Sequence, residues 1–459
     1  MFIAYYKMGD IMNLNEEQKK VVYTNERFLF LLASAGSGKT RVIVERMKYL
    51  MSQGIKPERI LAITFTRKAA FEMKERTKNT DVHIHTFHQY CYSNLIELNN
   101  QAIEMTEESS LPFSKTDLLE ISIYKNSLFK LSKPRLYESY QNHLKEHKLK
   151  DFDDLLIDYY KHIKNKQSSP VFDYIFIDEF QDTNNLQYEL LKQLIHSKTN
   201  VLAVGDPDQS IYQFRGANSK IIYRFIKDYQ AKLFTLSINY RSNQTITTHA
   251  NRLIKRNNRR YQKDLIPDDL SQSQTFHFKF YSEIEEAIHI IELIKSLKKR
   301  VKHDGEIAVL FRNHERSFEI RKVLLENEML YLNHDPLEHQ KSLQLMTIHK
   351  AKGLEFDAVI IIGLEQGVLP SLQQNSQMIL DEERRLMFVA ITRARKYLYF
   401  SSVYHGAQNR TYASSQFIRE SGVKTIKNKR INDIISLGDF NGYKAKNDRT
   451  HRDYKSSKL

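Results

Sequence analysis

A lysine, a hydroxyl and two carboxylates set the chemistry open to this chain of 459 residues. The segment ASAGSGKT, residues 33–40, lies between the apolar run FLFLLA (28–33) and the helical pattern RVIVERMKYLM (41–51). Gly36 and Gly38 let backbone amides face phosphate oxygens at a helix N-terminus, with Ala35, Ser37 and Arg41 completing the cradle. Lys39 is placed to reach the β- and γ-phosphates, and the Thr40 hydroxyl to hold Mg²⁺. Ala33 stands where the general phosphate-loop pattern has its first glycine. At the end of a second apolar run, YIFID (174–178), Asp178 offers a carboxylate to the same metal ion, and Glu179 one that polarises a water against the γ-phosphate. Together these residues predict hydrolysis of a nucleoside triphosphate.

The elements that must hold these groups read as strands buried on both faces. FLFLLA, ILAITF (60–65), YIFID and VLAVGD (201–206) show no polar alternation, and helical patterns separate them. A second series follows: FHFKFY (276–281), EIAVLF (306–311), LQLMTI (343–348), DAVIII (357–362) and YLYFSS (397–402). The expected fold class is α/β, with two tandem domains of parallel sheet. Residues 89–150 are polar, strand-poor and helical in pattern, which predicts a short helical insertion in the first domain. The expected division is 1–88 with 151–240, the insertion 89–150, a second α/β domain 241–420, and a basic tail 421–459.

Composition narrows the partners. Lys and Arg number 70 against 55 Asp and Glu, a net charge of +15, which favours a polyanion such as nucleic acid. From Lys424 to the end, ten basic residues against four acidic give +6 of that excess. With no tryptophan, base stacking falls to Phe, Tyr, His or Arg. Cys91, the single cysteine, rules out an internal disulfide and a four-thiolate metal site and points to a reducing compartment. The longest apolar run, Ala358–Leu364, is far below the roughly 18 residues of a membrane span. The start MFIAYYKMGD does not read as a signal peptide, so a cytoplasmic location is expected.

LNEEQ (14–18), AGSGKT (35–40), ITFTRKAAFEMKER (63–76), HTFH (85–88), DFDDLL (151–156), IDEFQDTN (177–184), VGDPDQSIYQFRGA (204–217), INYRS (238–242), TIHKAKGLEFD (347–357) and EERRLMFVAITRAR (382–395) occur in this order. The set resembles the ordered motifs of the UvrD/Rep/PcrA helicases of superfamily 1 over residues 14–402. The resemblance implies two RecA-like domains and ATP as the nucleotide. It implies that Gln18 reads the adenine, Tyr240 stacks on the base, Glu355 binds the ribose and Gln209 senses the γ-phosphate. Arg241 and Arg393 match the family's two arginine fingers. Phe65, His88, Tyr212, Phe214, Arg215 and His349 lie on motifs that contact single-stranded DNA in the family. Phe214 stands where family members often carry Trp.

The implied activity is ATP-dependent translocation 3′ to 5′ on single-stranded DNA with unwinding of tailed duplexes, by a monomeric motor. The alternative from another class is an ATP-gated DNA-binding subunit of a nuclease or replication complex. Family members usually carry a further helical domain between the strand after IAVLFR and TIHKAKG. Here the expected strand MLYLNHD (329–335) is followed by only Pro336–Lys341 before LQLMTI, so no such domain fits.

Overall fold

The structure is a computed structural model and describes residues 14–166, 170–218, 220–258, 260–261, 263–329, 331–332, 342–371, 377–406 and 410–426. The chain divides into two compact units between Ser237 and Ile238.

In the first unit, β1 (Phe28–Ala33), β2 (Ile60–Thr64), β3 (His83–Thr86), β4 (Tyr174–Ile177), β5 (Asn200–Gly205) and β6 (Lys232–Leu236) form one sheet in the order β3-β2-β4-β5-β1-β6. All its pairings are parallel. A parallel pair needs a crossover, and the amphipathic helices between the strands supply it. Leu29, Leu31 and Ala62 pack with Val42, Met47, Ala70 and Met73 from those helices. The consequence for function is positional: β4, β5 and β1 are neighbours, so the loops leaving their C-terminal ends converge.

The segment between β3 and β4 is helical. Thr86 ends β3 and caps the helix Phe87–Asn99 reciprocally with Gln89, so the strand passes directly into the helix. Helices Lys115–Asn126 and Tyr137–Glu146 share a small apolar core of Leu118, Ile121, Tyr140 and Leu144. The helix Phe152–Lys166 returns the chain to the sheet. A buried charge fastens this segment. Lys125, with no exposed side-chain surface, donates to Asp151 and Asp154 at 2.7 Å each, and Tyr140 donates to Asp151 at 2.6 Å. Asn126 donates to Asp153 at 2.9 Å and accepts from Asn184 at 2.8 Å. The acidic residues of DFDDLL are therefore anchors for the helical segment.

In the second unit, β7 (Ile238–Asn239) and β8 (Ile266–Pro267) make a small parallel pair. The main sheet comprises β9 (Phe276–Ser282), β10 (Ile307–Phe311), β11 (Tyr331–Leu332), β12 (Leu343–Thr347), β13 (Phe356–Ile361), β14 (Ala394–His405) and β15 (Lys424–Ile426). Its order is β11-β12-β10-β13-β14-β9-β15, again with parallel pairings throughout. Phe278, Ile290, Ile294, Val309, Leu345 and Ile360 are part of its core. Arg316 is buried in a cluster with Glu286 and Glu365, at 2.6 and 3.1 Å. Burial, with the Glu365 charge beside it, raises the Glu286 carboxyl to about 7.

One sequence expectation changes, and another falls partly outside the described residues. The stretch assigned to the tail from residue 421 begins inside the fold, because Lys424–Ile426 pairs with β9 as the edge strand of the second sheet. Of MLYLNHD, Tyr331–Leu332 forms a strand, while residues 333–341, including Pro336–Lys341, lie outside the described residues. The tail beyond 426 lies outside them too.

Replacing Lys125 by methionine leaves two acids without their cation. Denaturant unfolding of the full chain should show the first unit losing about 3–5 kcal/mol, the cost of breaking a buried pair from one side. Adding Asp151→Asn should return part of the loss. A loss below about 1 kcal/mol would mean the pair behaves as a solvated surface bridge.

Candidate nucleotide site and aromatic face

The phosphate loop is built by β1 and the helix Lys39–Ser52. Ser34 N donates to Leu236 O, tying the loop's start to β6, and Ser37 closes a turn by donating N and Oγ to Ser34 O at 3.2 and 2.7 Å. Gly38 precedes the helix at φ +82°, and a β-carbon there would lie 3.0 Å from Gln18 Nε2, so conformation and space both require glycine. Gly36 also has positive φ. Ala35 and Ser37 are buried, while Thr40 and Arg41 sit partly exposed on the helix's first turn.

Gln18 is brought to this loop. It caps its own helix with Asn15, Oε1 accepting from Asn15 N at 3.1 Å, and its Nε2 donates to Ser37 O at 3.1 Å. Both ends of the amide expected to read adenine are thus engaged within the protein.

The loop after β4 supplies the acids. Asp178 is buried, and burial first, with the adjacent Glu179 charge second, raises its carboxyl to about 6. Glu179 takes a left-handed conformation, φ +52°, rare outside glycine, and its N donates to Asp178 Oδ1 at 2.9 Å. Lys39 Nζ meets Glu179 Oε1 at 2.7 Å. Burial alone would lower the Lys39 ammonium, but Glu179, Asp178 and Asp206 together raise it. The cluster is a cation held among three carboxylates, with a helix N-terminus beside it. Thr40 and Asp178 offer a hydroxyl and a carboxylate, hard oxygen donors that suit magnesium. A dication there would relieve the cost of burying ionised Asp178.

Asp206 and Gln209 follow β5, the strand between β4 and β1. Gln209 Nε2 donates to Asp206 Oδ2 at 2.6 Å, and Asp208 N to Asp206 Oδ1 at 3.0 Å. Sequence reasoning missed Gln181, whose fully buried amide bridges Glu179 and this loop. The hint was available: a glutamine two positions after Glu179 in IDEFQDTN.

The same loop runs on to an aromatic face. Tyr212 stacks on Phe65, centroids 5.1 Å apart and planes at 24°, and lies 6.2 Å from Phe214. The Arg215 guanidinium is 5.6 Å from the Phe214 ring. Phe65 and Phe214 remain 39% and 43% exposed, which ordinary core residues of their size do not. His88 is half-buried, edge-on to Phe152, and burial lowers its imidazole to about 4.

In the second unit, Asn239 Oδ1 accepts from Arg241 N and Ser242 N, while Ser242 Oγ donates to Ala394 O, so INYRS is fastened to ITRAR. Tyr240 is exposed on this turn. Arg241 Nε meets Glu355 Oε2 at 2.6 Å, and Arg395 Nη1 donates to the other oxygen at 3.2 Å. Burial alone would raise the Glu355 carboxyl, but Arg241 and its neighbours hold it below the ordinary value. Arg393, 2% exposed, donates to the carbonyls of Val389 and Leu354 at 3.0 Å each. His349 is half-buried in the turn after β12.

The model of the UvrD/REP helicase N-terminal domain matches residues 14–133 and 104–230, and that of the UvrD-like helicase C-terminal domain matches 234–335 and 327–405. A probable DNA helicase of Mycoplasma pneumoniae is 34% identical over 89% of this chain and 86% of its own length. A probable DNA helicase II homolog of Mycoplasma capricolum is 34% identical over 69% of this chain, and the ATP-dependent DNA helicase PcrA of Staphylococcus epidermidis 32% identical over 70%. The chain spans about half the length of these last two, 51% in each case. With both halves of the family matched and the phosphate loop, acids and aromatic face in place, this chain belongs to the UvrD/Rep family of DNA helicases, enzymes that hydrolyse ATP.

Proposed function

We propose that the protein moves 3′ to 5′ along single-stranded DNA and unwinds tailed duplexes, hydrolysing ATP between its two α/β units. The observation that carries this is continuity. One segment, 205–217, begins beside the acids that act on the γ-phosphate and ends in the rings that would stack on bases, so each ligand bears on the other's site. The polarity rests on the resemblance to the UvrD/Rep/PcrA motifs. The reading of the chain as a motor core without a second inserted helical domain is supported by β11 and β12, which pair as neighbours with only residues 333–342 between them, against about 40 residues for even a small domain.

Lys39 and the amides of the phosphate loop would bind the triphosphate, while Glu179 takes a proton from the attacking water. Thr40 and Asp178 would hold magnesium, which when bound neutralises charge on the β- and γ-phosphates. Triphosphate oxygens compete with Glu179 for Lys39, so nucleotide binding frees this carboxylate from its ion pair. Arg241 and Arg393 supply the remaining positive charge as hydrolysis loads the γ-phosphoryl oxygens. In the second unit Glu355, which holds Arg241, is also the group assigned to the ribose, so the nucleotide again displaces an internal ion pair.

Strand displacement with 3′-tailed and 5′-tailed duplexes tests the reading. Unwinding of the 3′-tailed substrate alone is expected; ATPase activity on single strands without displacement of either duplex would favour an ATP-gated binding subunit. Lys39→Ala and Glu179→Gln should each lower turnover by about 10²–10³ or more while oligonucleotide binding survives. Arg241→Ala should lower turnover by about 10³ or more with a smaller change in ATP affinity; a loss confined to affinity would make it a ground-state contact. Phe214→Ala should weaken single-strand binding by about 1–3 kcal/mol without changing its salt dependence, because stacking releases no counterions. Unchanged affinity would remove Phe214 from the DNA face.

A further inference from the structure

We propose that Gln181 is the positioning residue through which a strand bound at Phe65, Tyr212 and Phe214 sets the orientation of Glu179. The inference rests on the ATPase and strand-binding reading above. A primary amide carries a donor and an acceptor at fixed separation, so it can join two groups rigidly. Here Nε2 donates to Glu179 Oε2, and Oε1 accepts from Asp206 N at 2.9 Å. The Gln181 carbonyl also accepts from Ser210 Oγ at 3.3 Å. The residue is fully buried, where such bonds do not exchange freely with water.

The fit on the β5 side is tight. A β-carbon on Gly205 would lie 2.8 Å from Gln181 Oε1 and 3.2 Å from Gln181 N. The end of β5 is therefore bare where the amide rests on it. On the other side, Glu179 has Oε1 on Lys39 and Oε2 on Gln181, so releasing Lys39 to a phosphate frees only one of its oxygens. The second remains under the control of Gln181.

The segment touching Gln181 is the one carrying the rings. Asp206 accepts from Asp208 N and Gln209 Nε2, making a compact turn, and the chain continues to Tyr212 and Phe214. Its far end is tied back to the turn that bears Gln181: Asn184 and Ala217 form an antiparallel bridge, and Asn218 N donates to Thr183 O at 3.2 Å. Asn184 is in turn fixed by Asn126 of the helical segment. With the far end anchored, displacement of the rings by a strand is taken up at Gly205–Ser210, where the contact is Gln181. Two sites biasing one shared contact is the physical requirement for coupling between them.

The test compares wild type with Gln181→Met, similar in length and without the two hydrogen bonds, using the full chain, ATP and a single-stranded oligonucleotide. The ratio of stimulated to basal turnover should fall about tenfold, within the usual 5- to 150-fold span of coupling. The KM for ATP and the Kd for the oligonucleotide should stay within about twofold. As a separate equilibrium readout of the same contact, the factor by which a non-hydrolysable ATP analogue changes oligonucleotide Kd should shrink toward one. Gly205→Ala, which drives a methyl group into the amide, should reproduce the loss, and Gly205→Ala with Gln181→Ala should add little to either alone. This second route holds the test open if Gln181→Met does not fold. A variant whose ratio and analogue effect match wild type overturns the relay. Wild type without stimulation by single strands instead overturns the functional reading on which it rests.

Discussion

The placement of one cation governs this molecule. Lys39 sits at the end of β1, and because β4 and β5 lie beside β1 in a parallel sheet, the carboxylates that follow those strands face it. Burial first, and the adjacent Glu179 charge second, push the Asp178 carboxyl up to about 6, and the arrangement holds together through the Lys39 ammonium beside them. A triphosphate entering this pocket adds more negative charge. It therefore needs further cations, and on the reading proposed above these are a metal on Thr40 and Asp178 together with Arg241 and Arg393. The closed ion pair and the need for an incoming cation are two aspects of the same electrostatic constraint.

The second unit uses the same device. Its two candidate arginines are already satisfied, Arg241 by Glu355 and Arg393 by main-chain carbonyls. An arginine so held costs little while waiting, whereas an unpaired buried guanidinium would be expensive. On the reading proposed above, ATP works by exchanging internal partners for its own oxygens: Lys39 from Glu179, and Glu355 from Arg241. Each such exchange sets part of the nucleotide's binding free energy against the loss of an internal pair, so ATP is held less tightly than its contacts alone would give.

Much of this was legible in the sequence, for reasons that also explain the gaps. β1, β2, β4 and β5 are apolar runs because both faces of a central parallel strand are buried. β3 and β6 escaped notice. HIHT carries two histidines, and KLFTL is half exposed at the sheet edge, so neither reads as a continuous apolar run. β15 is three residues in a basic stretch, and its pairing with β9 is a tertiary fact that no local pattern announces. At the site, Lys39, Asp178 and Glu179 were readable because their chemistry is fixed by type and spacing. Gln181 and Lys125 were not: a glutamine and a lysine are common surface residues, and only burial between partners from distant segments makes them matter. The acids of DFDDLL were visible as a motif, yet their role became clear only with Lys125 between them.

On the proposed reading the phosphates of ATP displace Glu179 from Lys39. The most direct test is the equilibrium affinity of Glu179→Gln and of wild type for the same non-hydrolysable ATP analogue. Removing the competing charge should make the variant bind several-fold more tightly than wild type even though its turnover is lost. Binding that is unchanged or weaker would mean that the pair at 2.7 Å does not stand in the nucleotide's way, and that ATP does not work by displacing it.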